Sequence, residues 1–332
     1  MEERESQERS AEVNLAGVYC RTSVAMDTLV KLRADTRRSP SIVEDAFERA
    51  LGWFAAVETA CNRFDPASEL SLLCSRVREP VAVSPMLFEA VAFAVEVARV
   101  TQGAFDPTIG VQQQRRGFAR SYRTGEVETG PAAADGGQAG YRVVGVNRLK
   151  GTITLGMPLL LDLGAVAKGL AIDLAARELA SFERYAVEAG GDLRAGGSPP
   201  SWRIGVRDPA RPDTLLGIVE ILDGAVCTSG DYERHGIEAG EHHLLNPRTG
   251  RSPRDLTSVT GVAPAAIAAD ALATAAFVLG PQKGLRLLLE QGVEGLIVKT
   301  GGERVTTPGF DELLRWRLEC GPCIWVAAAD RA

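Results

Sequence analysis

The chain has 332 residues, 45% of them hydrophobic, and a formal net charge of -6 at pH 7. That is enough apolar material for two domains or one elaborate one. An acidic balance without a basic face excludes a non-specific binder of nucleic acid or of anionic membrane, so an anionic small ligand has to be met by local positive charge. No apolar run reaches signal-peptide or membrane-spanning length, and six scattered cysteines are too few for a disulfide framework. The expectation is a reduced, cytoplasmic protein that does not insert into a membrane.

In chain order, residues 1–13 are charged and expected to be a solvated, disordered tail. Residues 24–33 have strand character, and Ser41 with Glu44 forms a capping box for a helix reaching about Cys61. A loop follows with Phe64, the turn formers Asp65 and Pro66, and Ser68 as a cap. Ser84 and Pro85 open a helix carrying Leu87, Val91 and Val95, which Gly103 ends. In GAFDPTIG, residues 103–110, Pro107 pushes Asp106 out of helical geometry, as in a structural turn. Residues 124–140 lack periodicity and read as a surface loop.

Strand-like stretches recur at 142–146, 152–155, 158–162, 185–189, 202–206, 216–222 and 259–263. Single helices are inserted among them, so the fold class expected is α+β with mainly antiparallel sheets. A helix from Ala268 to Leu279 ends at Gly280 and Pro281, and a helix at 282–291 and a strand at 295–299 close the body.

Three stretches carry chemistry. In LDLGAVAKGLAID, residues 161–173, Asp162 precedes a slim turn at Gly164 and Ala165, and Lys168 follows within the first helical turns. Unpaired N–H groups at a helix start, with a lysine beside them, make an anion pocket suited to phosphate. The same stretch also reads as an ordinary capped helix with Val166, Leu170 and Leu174 facing a core and Lys168 in water. Asp270 and Thr274, four apart, project from one helix face, and a carboxylate with a hydroxyl suits magnesium. His242 and His243 are adjacent, so extended geometry turns them to opposite faces and one at most faces a site. TSGDYERHG, 228–236, which ends near His235, adds hydroxyls and a glycine turn, and EAGGDLRAGG, 188–197, adds flexible backbone. Cys320 and Cys323 have thioredoxin-like spacing without the sequence that such a domain needs after it.

In this order, FDPASELSLL, GAFDPTIG, LDLGAVAKGLAID, AGGDLRAGG, TSGDYER, HHLLNPRTG and ADALATA resemble the FAD:protein FMN transferase family (ApbE), over about residues 22–310. The resemblance implies an ApbE-like, T-fold-like domain over 14–315 and a C-terminal extension at 316–332. It implies magnesium held by Asp270, Thr274 and the backbone carbonyl of Ala165. It implies FAD contacts at Met26, Phe64, Ala104, Phe105, Asp106, Asp162, Lys168 and Leu244, and His243 as proton acceptor. The activity implied is transfer of FMN from FAD to a threonine or serine hydroxyl of an acceptor flavoprotein with release of AMP. A magnesium-dependent FAD pyrophosphatase and a non-catalytic flavin carrier would use the same pocket. Relatives commonly read Met-Gly-Thr where this chain has Met26-Asp27-Thr28, and asparagine where it has Cys74. Some carry an acid at the position of Ala273.

Overall fold

The chain opens as an antiparallel meander of β1 (Glu12–Asn14), β2 (Val18–Ala25) and β3 (Thr28–Asp35). Residues 24–33 are therefore not one strand. The chain reverses at Met26 and Asp27, with φ of 51° and 60°, the paired left-handed geometry of a two-residue hairpin. The reversal is hidden in the sequence because neither turn residue is the glycine that usually marks it. In a computed structural model of the protein, residues 12–14, 17–118, 140–232, 241–315 and 325–327 are described. The tail expected at 1–13 overlaps β1 at Glu12 and Val13; the expectations for residues 1–11 and 124–139, for His235 and for Cys320 and Cys323 lie outside the described residues.

α1 (Pro40–Cys61) begins one residue before Ser41, with Ser39 at the N-cap and Pro40 in the first turn. The expected capping box is absent because Ser41 lies inside the helix, which puts Glu44 beyond the capping position; Glu44 pairs instead, as does Glu48, with Arg21 of β2. Ser68 does cap α2 (Glu69–Cys74), accepting from the N–H of Ser71. After β4 (Pro80–Ala82), Ser84 caps α3 (Pro85–Val100) through the N–H of Leu87. Gly103, at φ 80°, closes that helix by donating to the carbonyl of Ala98, as C-terminal glycines do.

A 3-10 turn at Pro107–Ile109 leads into α4 (Gly110–Arg115), and another at Tyr141–Val143 replaces the start of the strand expected at 142–146. β5 (Val144–Asn147) and β6 (Thr152–Leu155) form a three-stranded sheet with β4. Residues 158–162 are not a strand. They run as a buried loop held by the N–H of Gly110 on the Leu160 carbonyl and the N–H of Asp162 on the Pro107 carbonyl. Their apolar run reflects burial, which alone does not distinguish a strand from a covered loop.

α5 (Gly164–Leu179) then returns the chain to the main sheet through β7 (Arg184–Ala189) and β8 (Asp192–Gly197). β9 (Trp202–Asp208), β10 (Arg211–Ile221), β11 (Gly224–Gly230) and β12 (Leu256–Ala263) follow. α6 (Ala266–Leu279) and α7 (Pro281–Glu290) precede β13 (Glu294–Lys299), β14 (Arg304–Thr306), α8 (Pro308–Leu313), β15 (Leu314–Arg315) and β16 (Trp325–Ala327).

Nine strands pair in the order β1-β2-β3-β7-β8-β11-β12-β13-β14, each neighbouring pair antiparallel. Alternate side chains point to opposite faces. Leu32, Val187 and Val259 meet Phe47, Phe54, Leu87, Ile172 and Phe277 of the helices on one side. Leu193, Val226 and Val298 meet Trp202, Ile204 and Val219 of a second sheet, ordered β15-β10-β9-β16, on the other. The α+β, mainly antiparallel expectation holds; the β9–β16 pair is parallel.

α5 and α6 touch backbone to backbone. A Cβ on Gly169 would lie 2.6 Å from the Cα of Ile267, so Gly169→Ala is expected to force the helices apart at a cost of about 1–3 kcal/mol. Denaturant melts measure this directly; an unchanged midpoint would mean that the crossing is loose.

Candidate functional site

Lys168, in the second turn of α5, is gripped by two carboxylates. Its ammonium pairs with Asp192, the first residue of β8, and stands 4.0 Å from Asp270 Oδ2 of α6. Asp192 is 1% exposed, and its Oδ1 accepts from the N–H of Thr228 in β11 at 2.9 Å. Sequence reasoning missed Asp192 because β8 and β11 are built from small residues and glycine, which carry little strand propensity. The signal was there: the acid directly follows Gly190 and Gly191, both with positive φ, which turn the chain sharply and aim the first residue of β8 at α5.

Asp270, 5% exposed, and Thr274 share one face of α6, as their spacing requires. Thr274 Oγ1 lies 2.9 Å from Ser229 Oγ of β11. On α5, Gly169 and Asp173, four apart, face the start of α6. Asp173 bonds the N–H groups of Ala266 and Ile267, and Gly169 abuts Ile267. Both contacts fall on the first turn of α6, and Asp270 lies one turn further along the same helix.

Among the described residues, no group of three or more His, Cys, Asp or Glu side chains could hold a metal. The oxygens at issue are of another kind: the Asp270 carboxylate and the Thr274 hydroxyl of α6 and, at the start of α5, the Ala165 carbonyl, whose second lone pair could accept a cation. This all-oxygen set fits magnesium, which binds few protein oxygens and completes its shell with water and phosphate. The charge fits as well. Asp192 and Asp270 bring two carboxylates to the one ammonium of Lys168, and buried negative charge calls for a counter-ion.

Cys227 lies beneath this cluster with its Sγ 3.6 Å from the Ala266 carbonyl. Burial, helped by Asp192 and Asp270, pushes its thiol well above the usual range, which keeps it protonated and unreactive.

The remaining candidates stand on the surrounding loops. The two histidines differ in burial. His242 is buried, with Nε2 2.9 Å from the Pro253 carbonyl and its ring edge-on to Phe277 at 5.4 Å. His243 is half-buried. Leu244 sits inside the helix-side core. The turn that follows is fixed by the Asn246 N–H on the Arg251 carbonyl and by Gln112 Nε2 on the Pro247 carbonyl.

Asp162 accepts from the N–H of Gly164 at 3.0 Å and pairs with Arg63 Nε at 2.8 Å. Arg63 in turn lies 4.3 Å above the ring of Phe64. Asp162 thus takes the first free donor of α5 and anchors the loop of Phe64. Asp106 accepts from the N–H and hydroxyl of Thr108 and from the N–H of Tyr141, so its carboxylate serves the turn, and Ala104 and Phe105 beside it are buried.

The Met26 N–H donates to Glu58 at 3.0 Å. A Cβ on Gly190 would meet Thr28 Oγ1 at 2.7 Å, which places the Met26-Asp27 hairpin tip beside the turn that delivers Asp192. Direct contacts thus join Lys168 to Asp192 and Asp270, and Thr274 to Ser229. His243, Phe64 and the 104–106 segment belong to separate loops.

A family model described as "ApbE family" matches residues 26–313. The FAD:protein FMN transferase of Haemophilus influenzae is 29% identical over 268 residues, covering 75% of this chain and 77% of that protein. That of Treponema pallidum is 30% identical over 310 residues, 84% of each. The crystal structure of the ApbE protein from Thermotoga maritima superposes with a TM-score of 0.80 at 31% identity, covering 90% of this chain and 99% of that one. With 288 consecutive positions inside the family's pattern and its fold reproduced, this chain belongs to the ApbE family.

Proposed function

We propose that the protein is a magnesium-dependent transferase that moves FMN from FAD onto a threonine or serine hydroxyl of an acceptor protein and releases AMP. The observation that carries this reading is the cluster in which Asp192 and Asp270 hold Lys168 between α5 and α6. It joins a cation for phosphate to hard oxygen donors for a metal. The relatives compared above are FAD:protein FMN transferases.

The acceptor hydroxyl attacks the phosphorus on the FMN side of the pyrophosphate, the bond to the AMP oxygen breaks, and the hydroxyl proton passes to His243. Lys168, oriented by Asp192, offsets charge developing on the pyrophosphate. Asp270, Thr274 and the Ala165 carbonyl would hold magnesium, which when bound supplies further positive charge beside the same oxygens. Met26, Phe64, the 104–106 segment, Asp162 and Leu244 shape the flavin pocket. Asp162 and Asp106 act through the loops they fix, since their carboxylates already bond protein donors.

Incubation with FAD and magnesium, with and without acceptor proteins, tests this reading. AMP release and protein-bound flavin that both require acceptor support transfer. AMP with free FMN and no acceptor would make the protein a pyrophosphatase; bound FAD without AMP would make it a carrier.

Asp27 bears on affinity. It occupies the hairpin tip at φ 60°, where the family resemblance implies glycine, and a carboxylate near a pyrophosphate adds repulsion of about 1 kcal/mol in water-like surroundings. Asp27→Gly is expected to tighten FAD binding, with a gain that shrinks as salt rises. It should not lower the melting point, because glycine adopts this φ without strain. FAD titrations at low and high ionic strength decide the matter; equal affinity at low salt means that the carboxylate points away from the pocket.

A further inference from the structure

Asp173 is buried and has no part in the chemistry above, yet it joins the two helices of the site. α6 has no cap of its own: Ala265 at the N-cap offers no side-chain oxygen and the first turn holds no acid. Its first N–H groups would be orphaned. Those of Ala266 and Ile267 instead donate to Asp173 Oδ1 and Oδ2 of α5, at 2.9 and 3.0 Å. Arg194 of β8, two residues after Asp192, donates to Oδ1 at 2.8 Å. The carboxylate is 5% exposed, so the positive end of a helix and a guanidinium together compensate its charge.

We propose that Asp173 is the positioning residue of the metal site. It sets the axial register of α6 on α5, so that Asp270 and Thr274 arrive opposite the carbonyl of Ala165. The inference rests on the reading that those three oxygens hold magnesium. Gly169 lets the helices approach but does not fix their slide, since a backbone contact without directional bonds tolerates translation. Asp173 fixes it, because two bonds to successive N–H groups have one geometry. The tolerance explains why this matters. Metal–ligand distances are held to about 0.2 Å, whereas one helical residue rises about 1.5 Å. A fraction of a residue of slip therefore removes a ligand while the apolar packing survives. The same carboxylate ties Arg194 to α6, so the strand that supplies Asp192, the partner of Lys168, is keyed to the same register.

The test separates metal geometry from mere stability. Asp173→Asn keeps size and one acceptor oxygen but turns an amide nitrogen toward an N–H. Loss of a group that orients metal ligands costs roughly 10- to 100-fold in metal affinity. Binding of Mn2+, followed by the electron paramagnetic resonance signal of the free ion, is expected to weaken by that factor. The magnesium concentration for half-maximal transfer should rise in parallel, and kcat should recover at saturating magnesium. A lowered melting point with unchanged Mn2+ affinity in the folded fraction would overturn the proposal.

Should Asp173→Asn fail to fold, Arg194→Gln loosens the same carboxylate without touching α6. It should weaken Mn2+ binding in the same direction by a smaller factor, and no shift there would also overturn the proposal. Wild-type protein that transfers FMN without magnesium and binds no Mn2+ would instead remove the metal reading itself, an outcome visible before any variant is made.

Discussion

Asp270→Ala should leave a folded protein that no longer turns over. A bound divalent cation contributes several kcal/mol of transition-state charge stabilisation, and about 3 kcal/mol corresponds to roughly 10²-fold in rate, so a loss of at least that size is expected along with metal-dependent FAD affinity. The fold should survive because the substitution adds no bulk and Lys168 keeps its pairing with Asp192. In metal-free buffer the variant is expected to melt no lower than the wild type, since one of two neighbouring buried carboxylates has gone. Calorimetric titration of magnesium, thermal melts and AMP release together check this. Undiminished magnesium-dependent turnover would remove the metal from α6.

The second large effect concerns the histidine pair. His243→Ala should retain FAD binding and lose transfer by roughly 10²- to 10⁴-fold, the usual worth of a general base. Sequence reasoning alone expects His242→Ala to do little, and the structure revises that. His242 bonds the Pro253 carbonyl and packs on Phe277, so its loss should cost roughly 1–3 kcal/mol of stability while kcat per folded molecule stays near wild type. Comparing melting points with kcat for both variants separates the roles. Equal kinetic losses would give both histidines a structural part.

The parts of the site legible in the sequence were those carried by local spacing. Asp270 and Thr274 share a face because a helix repeats every 3.6 residues, and Lys168 follows a strand-like apolar run into a helix. Illegible were the groups whose roles depend on partners far along the chain. Asp192 meets Lys168, and Asp173 meets Ala266 and Ile267; no window of sequence contains either pair. Glu44 shows the reverse error: the helix starts two residues earlier than the Ser41 cap implies, so Glu44 lies beyond the capping position and pairs with Arg21 instead. Strands β8 and β11 were hidden by their small residues, which the sheet tolerates because helices cover one face and a second sheet the other.

The main sheet places β3 directly beside β7, with Val30 facing Ala189, while α1 to α5 and the small three-stranded sheet occupy the chain between them. Loop-closure entropy has to be met before such a pairing returns any contact energy. Helices can form from local contacts, whereas the sheet that carries Asp192 is complete only once β7 has been laid against β3. Competence to bind the ligand is thus a property of the completed topology. A ligand that recognises this arrangement binds the native state alone, so saturating ligand deepens the native basin by mass action without acting as a template for the helices.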